Sequence, residues 1–253
     1  GVICAKARYY PQRVYGADRI LYPMLRTGKK GSGEFTRISW DEALSEISER
    51  WQTLISQYGA ECILPFSYAG TEGVVNKAGM DRRFFNRLGA SRLERTICSA
   101  AGNEGYNLVY GESKGINPSE TVHAKLVIFW GINALETNIH QAILADKARK
   151  NGAKIVVIDV HRNRTAMWAD EFYQILPGSD GALAMGLMHI IFRDGLTDAW
   201  SKAHTFGLND LAEAAKDYPP ERVAALTGLD AVRIEELAHL YAQTRPGFIR
   251  IGN

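Results

Sequence analysis

The sequence predicts an α/β fold of Rossmann-like type, a parallel sheet with helices on both faces, preceded by a small irregular or β-stranded N-terminal segment. Short runs of continuous apolar residues recur along the chain, as in strands that are buried on both faces. Amphipathic stretches of helical period lie between these runs, and this alternation is typical of parallel sheets. We therefore expect functional groups at the carboxyl ends of the strands, where such folds bind ligands.

The N-terminal part of the chain changes character near residue 39. Residues 1–38 are rich in Gly, Arg and Tyr and contain the turn-forming stretch "RTGKKGSGEF", so they are predicted to be irregular or short-stranded. From there the pattern is helical. Ser39 and Glu42 have the spacing of a capping box, and Gly59 is a stop signal. The spacing predicts an amphipathic helix over 39–59.

An apolar run follows that helix. The stretch "CILPFS" (62–67) predicts a short buried strand, with Cys62 as a core residue. A glycine-bearing turn and a helix that ends near Gly89 come next. The rest of the chain predicts four strands and four helices. The strands are 125–131, 154–159, 171–178 and 246–252, and the helices are 138–152, 179–195, 219–228 and 230–244.

The composition excludes several classes of function. Lys and Arg number 30 against 28 Asp and Glu, a formal net charge of +2, so neither nucleic acid nor an anionic membrane surface is an expected partner. No apolar run reaches the ~18 residues of a membrane-spanning helix. Three cysteines that lie far apart do not suit a disulfide framework. The expected partner is a small molecule or another protein.

Polar residues follow two of the predicted strands. After 125–131, Gly131 would let a ligand approach the backbone, and the next helix offers free N–H groups. The donors and acceptors of this turn are Asn133, Glu136, Thr137 and Asn138. Asp159 ends the next strand, where a carboxylate can accept hydrogen bonds from a ribose or a base. Asn138 as a helix cap and Asp159 as a turn former are the structural alternatives. Together the two strand ends indicate a nucleotide site.

A third strand end carries "PGSDGAL", in which Pro177 and Gly178 end the strand and Ser179 or Asp180 caps the next helix. No G-x-G-x-x-G follows a strand and no G-x-x-x-x-G-K-[ST] occurs, so neither an ordinary NAD site nor a P-loop is expected. The six histidines lack the spacing of a zinc site. His140 and His161 lie at the candidate ligand edges, either as polar contacts or as exposed surface.

One cysteine has a distinctive setting. Cys98 stands in "RTICSAAGNEG", after Arg92 and Arg95 and before small residues. Small neighbours leave a thiol accessible, and positive charge favours the thiolate, the form that attacks or binds metal. A buried core cysteine is the alternative interpretation from the local sequence alone.

Five segments occur in an order that resembles the molybdenum or tungsten oxidoreductases that carry bis-molybdopterin guanine dinucleotide (bis-MGD), the dimethyl sulfoxide reductase and formate dehydrogenase superfamily. The segments are "GVICAK" (1–6), "YGADRILYPMLRTGKKGSGEFTRISWDEAL" (15–44), "FWGINALETN" (129–138), "VIDVHRNRTAMWAD" (157–170) and "ILPGSDGAL" (175–183). The likeness covers almost the whole chain. It implies a catalytic subunit, of which this chain is a part.

The resemblance implies roles for the segments that contain Cys4 and Cys98. Cys4 matches the fourth ligand of the family's 4Fe-4S cluster, and Lys6 matches the lysine between cluster and pterin on the electron path. A cluster needs four thiolates, so we expect no stable cluster in this chain alone. Cys98 matches the position that binds the Mo or W atom. Formate dehydrogenases typically carry histidine after that ligand, and here Ser99 follows.

The resemblance also assigns residues to the guanine dinucleotides. Gly131, Asn133 and Glu136 match the family's G-x-N-P-x-E turn, with Ala134 in place of proline. Asp159 matches the acidic residue of its D-P-R motif, although Val160 and His161 replace the proline and arginine, and Thr165 stays in register. The P-G-x-D turn is matched by Pro177, Gly178 and Asp180.

These assignments imply a domain plan and a reaction class. Residues 1–38 are expected to be the remnant of an iron–sulfur domain, and 39–253 the dinucleotide-binding region, in two interleaved subdomains, 39–95 and 96–253. The implied reaction is two-electron oxygen-atom or hydride transfer on a small-molecule substrate, with electrons passing through a 4Fe-4S cluster to an electron-transfer protein or subunit. The chain alone is expected to be inactive.

Two other functions stay open. One is a non-redox member of the same superfamily, a hydratase or hydroxyl-transfer enzyme that uses the same metal site. The other is a nucleotide-binding or structural module that has lost catalysis. The sequence does not identify the compartment. A cytoplasmic location is expected, and a periplasmic one is the alternative if a leader precedes residue 1.

Overall fold

A computed structural model describes residues 2–4, 7–68, 79–97, 99–112 and 114–252. Lys6 and Cys98 therefore lie outside the described residues. The chain divides into two compact units, residues 1–112 and 113–253. The functional domains expected from the sequence stay a prediction.

In its described residues, the N-terminal unit contains helices and one small antiparallel sheet. Its elements are α1 (Tyr10–Val14), β1 (Met24–Arg26), β2 (Phe35–Arg37), α2 (Trp40–Tyr58), a 3₁₀ turn (Ala60–Cys62), α3 (Met80–Leu88) and α4 (Ala100–Tyr110). Strands β1 and β2 pair with Leu25 opposite Thr36. The prediction of a short-stranded N-terminal segment is confirmed.

Helix α2 begins and ends where the sequence predicts. The Ser39 hydroxyl accepts a hydrogen bond from the Glu42 N–H at 3.2 Å, and the Ser39 N–H donates to Glu42 Oε2 at 2.7 Å. These two bonds form the capping box and satisfy donors that a helix start leaves free. The hydrogen bond from the Ser39 backbone, followed by that from its hydroxyl, lowers the pKa of the Glu42 carboxyl. Gly59, at φ +83°, ends the helix.

The predicted buried strand over 62–67 is wrong. Cys62 is exposed and closes the 3₁₀ turn, in which the Ile63 N–H donates to the Ala60 carbonyl at 3.1 Å. Residues 63–68 form no strand, and Leu64 and Phe66 are 50% and 71% exposed. An apolar run becomes a buried strand only if a ladder and two covering layers are available to it. In the described part of this unit, the run at 62–67 has neither a ladder nor two covering layers.

The C-terminal unit alternates strands and helices. Its elements are a 3₁₀ helix (Pro118–His123), β3 (Leu126–Trp130), α5 (Ala134–Thr137), α6 (Ile139–Lys150), β4 (Lys154–Asp159), α7 (Arg164–Trp168), β5 (Glu171–Gln174), α8 (Asp180–Arg193), α9 (Ala199–His204), α10 (Leu208–Ala215), α11 (Pro220–Thr227), α12 (Ala231–Gln243) and β6 (Gly247–Ile251). No helix among the described residues is long and apolar enough to cross a membrane.

A four-stranded parallel sheet, in the order β5-β4-β3-β6, forms the centre of this unit. Two buried clusters cover its faces. On one face Leu126 and Ile128 of β3 pack with side chains of α8, α11 and α12. On the other, Val127 and Phe129 pack with side chains of α6 and α7. The predicted sheet with helices on both faces is confirmed.

The register brings the carboxyl ends of the strands to one edge. Trp130 lies opposite both Ile158 and Ile251. Asp159 lies opposite Gln174. The turns that follow β3, β4 and β5 therefore emerge together, and the polar candidate residues lie in these turns.

Candidate functional site

The turn after β3 lies close to the backbone of its neighbours and is open to solvent. The Gly131 N–H donates to the Ile158 carbonyl at 2.8 Å, and Gly131 has φ +65°, a conformation that favours glycine. An added Cβ at Gly131 would meet no atom within 4 Å, whereas one at Gly252 would lie 1.9 Å from the Gly131 carbonyl oxygen. The backbones at the ends of β3 and β6 are thus tightly packed, and the space beside the Gly131 Cα is open.

A hydrogen-bonded network links this turn to α7. The Thr165 hydroxyl donates to Asn133 Oδ1 at 2.7 Å and accepts from the Leu135 N–H at 3.0 Å. Asn133 Nδ2 donates to Glu136 Oε2 at 2.9 Å, and Arg164 lies 3.8 Å from the other oxygen of that carboxylate. Thr165 is fully buried. The structure therefore brings together three of the predicted residues, with the Asn133 amide and the Glu136 carboxylate held in fixed orientations.

Asp159 organises the turn after β4. Its Oδ2 accepts from Asn163 Nδ2 at 2.9 Å, and its Oδ1 accepts from the His161 N–H at 3.3 Å. Asn163 Oδ1 in turn accepts from the N–H groups of Thr165 and Ala166, at 2.9 and 3.1 Å, and caps α7. The turn-forming role is therefore present. Asp159 is partly exposed, so its carboxylate also faces solvent at the edge.

The turn after β5 presents the third set of predicted residues. Pro177 and Gly178 are exposed, and Gly178 has φ +79° with nothing within 4 Å of an added Cβ. Ser179 is buried and its hydroxyl donates to the Leu176 carbonyl at 2.6 Å. Asp180 begins α8, and its Oδ1 accepts from Trp130 Nε1 at 2.7 Å. This contact joins the turn to the end of β3.

Sequence reasoning missed two residues of this edge, Trp130 and Asn163. A signal for Asn163 exists, because Asn before a short helical stretch is a typical N-cap. Trp130 offers only an indole N–H at a strand end, and its partner lies 50 residues away. Asn138, an expected cap, stands at the N-cap of α6 without a side-chain capping bond. His161 is exposed and contributes its backbone N–H to the turn.

The donor set at this edge suits a nucleotide. Carboxylates accept hydrogen bonds from ribose hydroxyls and from base N–H groups, and an amide does both. Two glycines of positive φ leave open space for close approach to the backbone. In the described part of the chain every buried side-chain nitrogen and oxygen has a partner. At the edge itself, hydrogen bonds within the protein join Asn133 to Glu136 and Thr165.

The cysteine positions belong to the N-terminal unit. Cys4 is partly buried, and its carbonyl accepts from the N–H groups of Ala7 and Arg8 at 3.1 Å each. The segment that leads to Cys98 is bonded to residues 61–68. Arg95 Nη2 donates to Ser67 Oγ at 2.7 Å, and the Ser91 N–H donates to the Ile63 carbonyl at 2.9 Å. Among the described residues no three His, Cys, Asp or Glu side chains are grouped as a metal site.

Comparisons with known proteins agree on one family. A family model described as molybdopterin oxidoreductase matches residues 19–245. The chain is 54% identical, over all of its length and 37% of the relative's, to a probable oxidoreductase, YoaE, from Bacillus subtilis. It is 32% identical to the dimethyl sulfoxide reductase DmsA of Haemophilus influenzae, over 98% of this chain and 35% of that protein.

A solved structure supports the same assignment. Acetylene hydratase from Pelobacter acetylenicus superposes with a TM-score of 0.80 at 29% identity, over 98% of this chain and 34% of that one. The chain thus spans about a third of the length of the proteins that it matches.

Proposed function

The chain therefore belongs to the molybdopterin oxidoreductase family, and we propose that it forms a nucleotide- and metal-binding part of a bis-MGD enzyme of molybdenum or tungsten. The proposed reaction is two-electron oxygen-atom or hydride transfer on a small-molecule substrate. The observation that carries the proposal is made at one edge of the sheet, where polar groups and motif positions coincide. The ordered polar groups of the C-terminal unit lie at the positions that match the family's motifs, inside the matched range 19–245.

In this proposal the C-terminal unit binds guanine dinucleotide through three turns. Asn133 and Glu136, held by Thr165, supply an amide and a carboxylate. Asp159 and Asp180 supply further acceptors for ribose hydroxyls or base N–H groups. Gly131, Pro177 and Gly178 shape the backbone around the open space. Each of these groups binds or orients, and none is required to move a proton.

The N-terminal unit would supply the residues that bind the metal or belong to the electron path. Cys98 is proposed as the single protein ligand of the metal, because a soft thiolate suits this class of ion. Lys6 is proposed to lie between the pterin and a 4Fe-4S cluster, to which Cys4 contributes one of four thiolates. When bound, the cofactor supplies the two-electron redox chemistry, and the protein supplies its position and exclusion of competing reactions. An electron-transfer protein or subunit would complete the path.

A hydratase is the second candidate, and a specific observation favours it. The structural neighbour at TM-score 0.80 is named as an acetylene hydratase, so this fold also accommodates a hydration enzyme. The two candidates differ in whether the metal changes oxidation state during turnover. Redox titration of the metal with substrate present separates them, because a hydratase turns over without a change in the oxidation state of its metal.

Metal analysis tests the site. The longest natural polypeptide that contains this chain is purified from a host that makes the cofactor, and Mo, W and released guanosine monophosphate are measured. We expect about one metal and two nucleotides per polypeptide, and a loss of metal in Cys98→Ala. Cys62→Ala is the matched control, since Cys62 is an exposed thiol of the same unit.

Two results would contradict the proposal in different ways. Metal retained in full by Cys98→Ala would remove Cys98 as the ligand. Absence of both metal and guanosine monophosphate from the wild-type polypeptide would favour the third alternative, a module that has lost catalysis.

A further inference from the structure

Trp130 lies where three strand ends meet, and no motif of the sequence assigns it a role. Its carbonyl accepts from the Gly252 N–H at 2.8 Å, which joins β3 to the end of β6. Its ring packs against the buried cluster on the α8 face of the sheet. Its indole Nε1–H donates to Asp180 Oδ1 at 2.7 Å. The ring is thus fixed on its apolar side, and its polar atom points at the first residue of α8.

We propose that Trp130 is a positioning residue that holds the Asp180 carboxylate for the base of a guanine nucleotide. This inference rests on the proposed function, because it assumes a guanine nucleotide at the carboxyl edge. Asp180 is exposed and accepts no second side-chain hydrogen bond from the described residues. Without Trp130 its carboxylate would be free to adopt several rotamers in solvent.

The chemistry of the contact explains why a single hydrogen-bond donor is enough to orient the Asp180 carboxylate. An indole N–H only donates, so it must be met by an accepting oxygen, which Asp180 Oδ1 supplies. A hydrogen bond between a neutral donor and a carboxylate is among the stronger ones in proteins. One carboxylate oxygen is used by Trp130, and the other keeps its lone pairs for a ligand.

The base that this carboxylate favours follows from the same inventory. Guanine presents two adjacent donors, N1–H and the N2 amino group, on its Watson–Crick edge. Adenine presents an acceptor at N1, which an ionised carboxylate repels. A well-oriented Asp180 therefore discriminates between the bases, whereas phosphate and ribose contacts do not. Loss of orientation should reduce guanine affinity and leave adenine affinity unchanged.

The test measures binding of GDP and ADP to this chain by calorimetry, for the wild type and for Trp130→Phe. Phenylalanine keeps an aromatic ring in the apolar contact and removes the N–H. We expect about a tenfold loss of GDP affinity and unchanged ADP affinity, the size that one hydrogen bond to a charged group contributes. Trp200→Phe is the matched control, because Trp200 is an exposed ring on α9 that stacks on His204.

A double-mutant cycle separates positioning from general structural damage. In an Asp180→Ala background, Trp130→Phe should cause no further loss of GDP affinity, since the two residues act through one contact. The Trp130 indole N–H resonance, identified by its absence in Trp130→Phe, should shift in Asp180→Ala. A structural role alone would give additive losses in the two variants.

The outcomes are distinguishable. If wild type binds GDP and Trp130→Phe binds it equally well, or loses GDP and ADP affinity equally, the positioning role is wrong and the proposed function stands. If the wild type binds no GDP, the inference is overturned, whereas the proposed function is decided separately by the metal and guanosine monophosphate content of the longer polypeptide. An indole resonance that ignores Asp180→Ala would by itself remove the contact on which the inference rests.

Discussion

Thr165 shows how a single hydroxyl organises the candidate site. It is fully buried, and it joins the turn after β3 to α7 by donating to the Asn133 amide oxygen and accepting from the Leu135 N–H. Removing the hydroxyl while keeping the shape leaves two polar groups without their partner. The cost of such unsatisfied groups exceeds the net worth of the bonds themselves.

We expect Thr165→Val to lower the free energy of unfolding by about 1–3 kcal/mol, because the Leu135 N–H and Asn133 Oδ1 each lose a partner. Urea denaturation followed by tryptophan fluorescence measures this. Thr137→Val is the control in the same turn. Its hydroxyl is exposed and donates to the Asn133 carbonyl at 2.9 Å, so its loss should change stability by no more than about 0.5 kcal/mol. Equal stabilities of the two variants would contradict the proposed role of Thr165.

At this scale the sequence predicts residues better than it predicts their partners. Asn133, Glu136 and Thr165 were identified as single positions that match motifs, and the structure joins them through a contact that spans 32 residues. Trp130 was missed because nothing in the local sequence distinguishes a buried aromatic at a strand end from one that donates a hydrogen bond. Long-range pairs of this kind are set by the fold and not by the neighbouring sequence.

Helix α8 packs closely against α11, and a glycine makes that packing fit. Gly186 is buried within α8, and an added Cβ would lie 2.7 Å and 3.0 Å from the two Cγ atoms of Val223 on α11. Valine is stiff at χ1, so its side chain cannot turn aside at low cost. The absence of a side chain at 186 therefore allows the two helices to approach.

We expect Gly186→Ala to destabilise the protein by about 1–3 kcal/mol, the usual cost of overpacking, even though alanine is the better helix former. In a Val223→Ala background the same change should cost much less or be neutral, because the clashing methyl groups are gone and only the Cβ of residue 223 stays close, 3.2 Å from the added Cβ. Thermal or urea unfolding of the four proteins of this cycle gives the coupling energy. A Gly186→Ala effect of the same sign and size in both backgrounds would show that Val223 is not the obstacle.

Elements with strong local signals were predicted correctly. The α2 capping box and the glycine after it fix that helix from sequence, and the apolar runs at 126–130 and 154–159 form buried strands. The run at 62–67 is also apolar, but it contains Pro65, which has no N–H to donate to a ladder, and it forms no strand. Apolar residues supply the tendency to be buried, but the ladder partner and the covering helices come from the rest of the molecule. Apolar character alone therefore does not separate the two cases, whereas Pro65 is a signal in the sequence against a central strand.

Across the whole molecule, burial is divided unequally between the two units. The C-terminal unit contains both buried clusters. In the described part of residues 1–112 no residue is buried, and the apolar side chains Trp40, Leu44 and Ile47 of α2 are 63%, 60% and 46% exposed. Hydrophobic burial is the main favourable term of folding, so local stability should follow the same division.

Hydrogen exchange of this chain tests that expectation with two helices, which removes differences between helical and sheet amides. Helix α8 buries Leu183, Leu187 and Ile190, whereas α2 buries no residue. Amides in the middle of α8 should therefore exchange only through the largest openings, and those of α2 through local openings that need less free energy. We expect protection factors in α2 to be lower by about tenfold or more, since 1.4 kcal/mol of opening free energy is a factor of ten.

The capping box slows fraying at the start of α2 but adds no buried area, so it should not change this order. Equal protection in the two helices would mean that the apolar face of α2 is covered in solution.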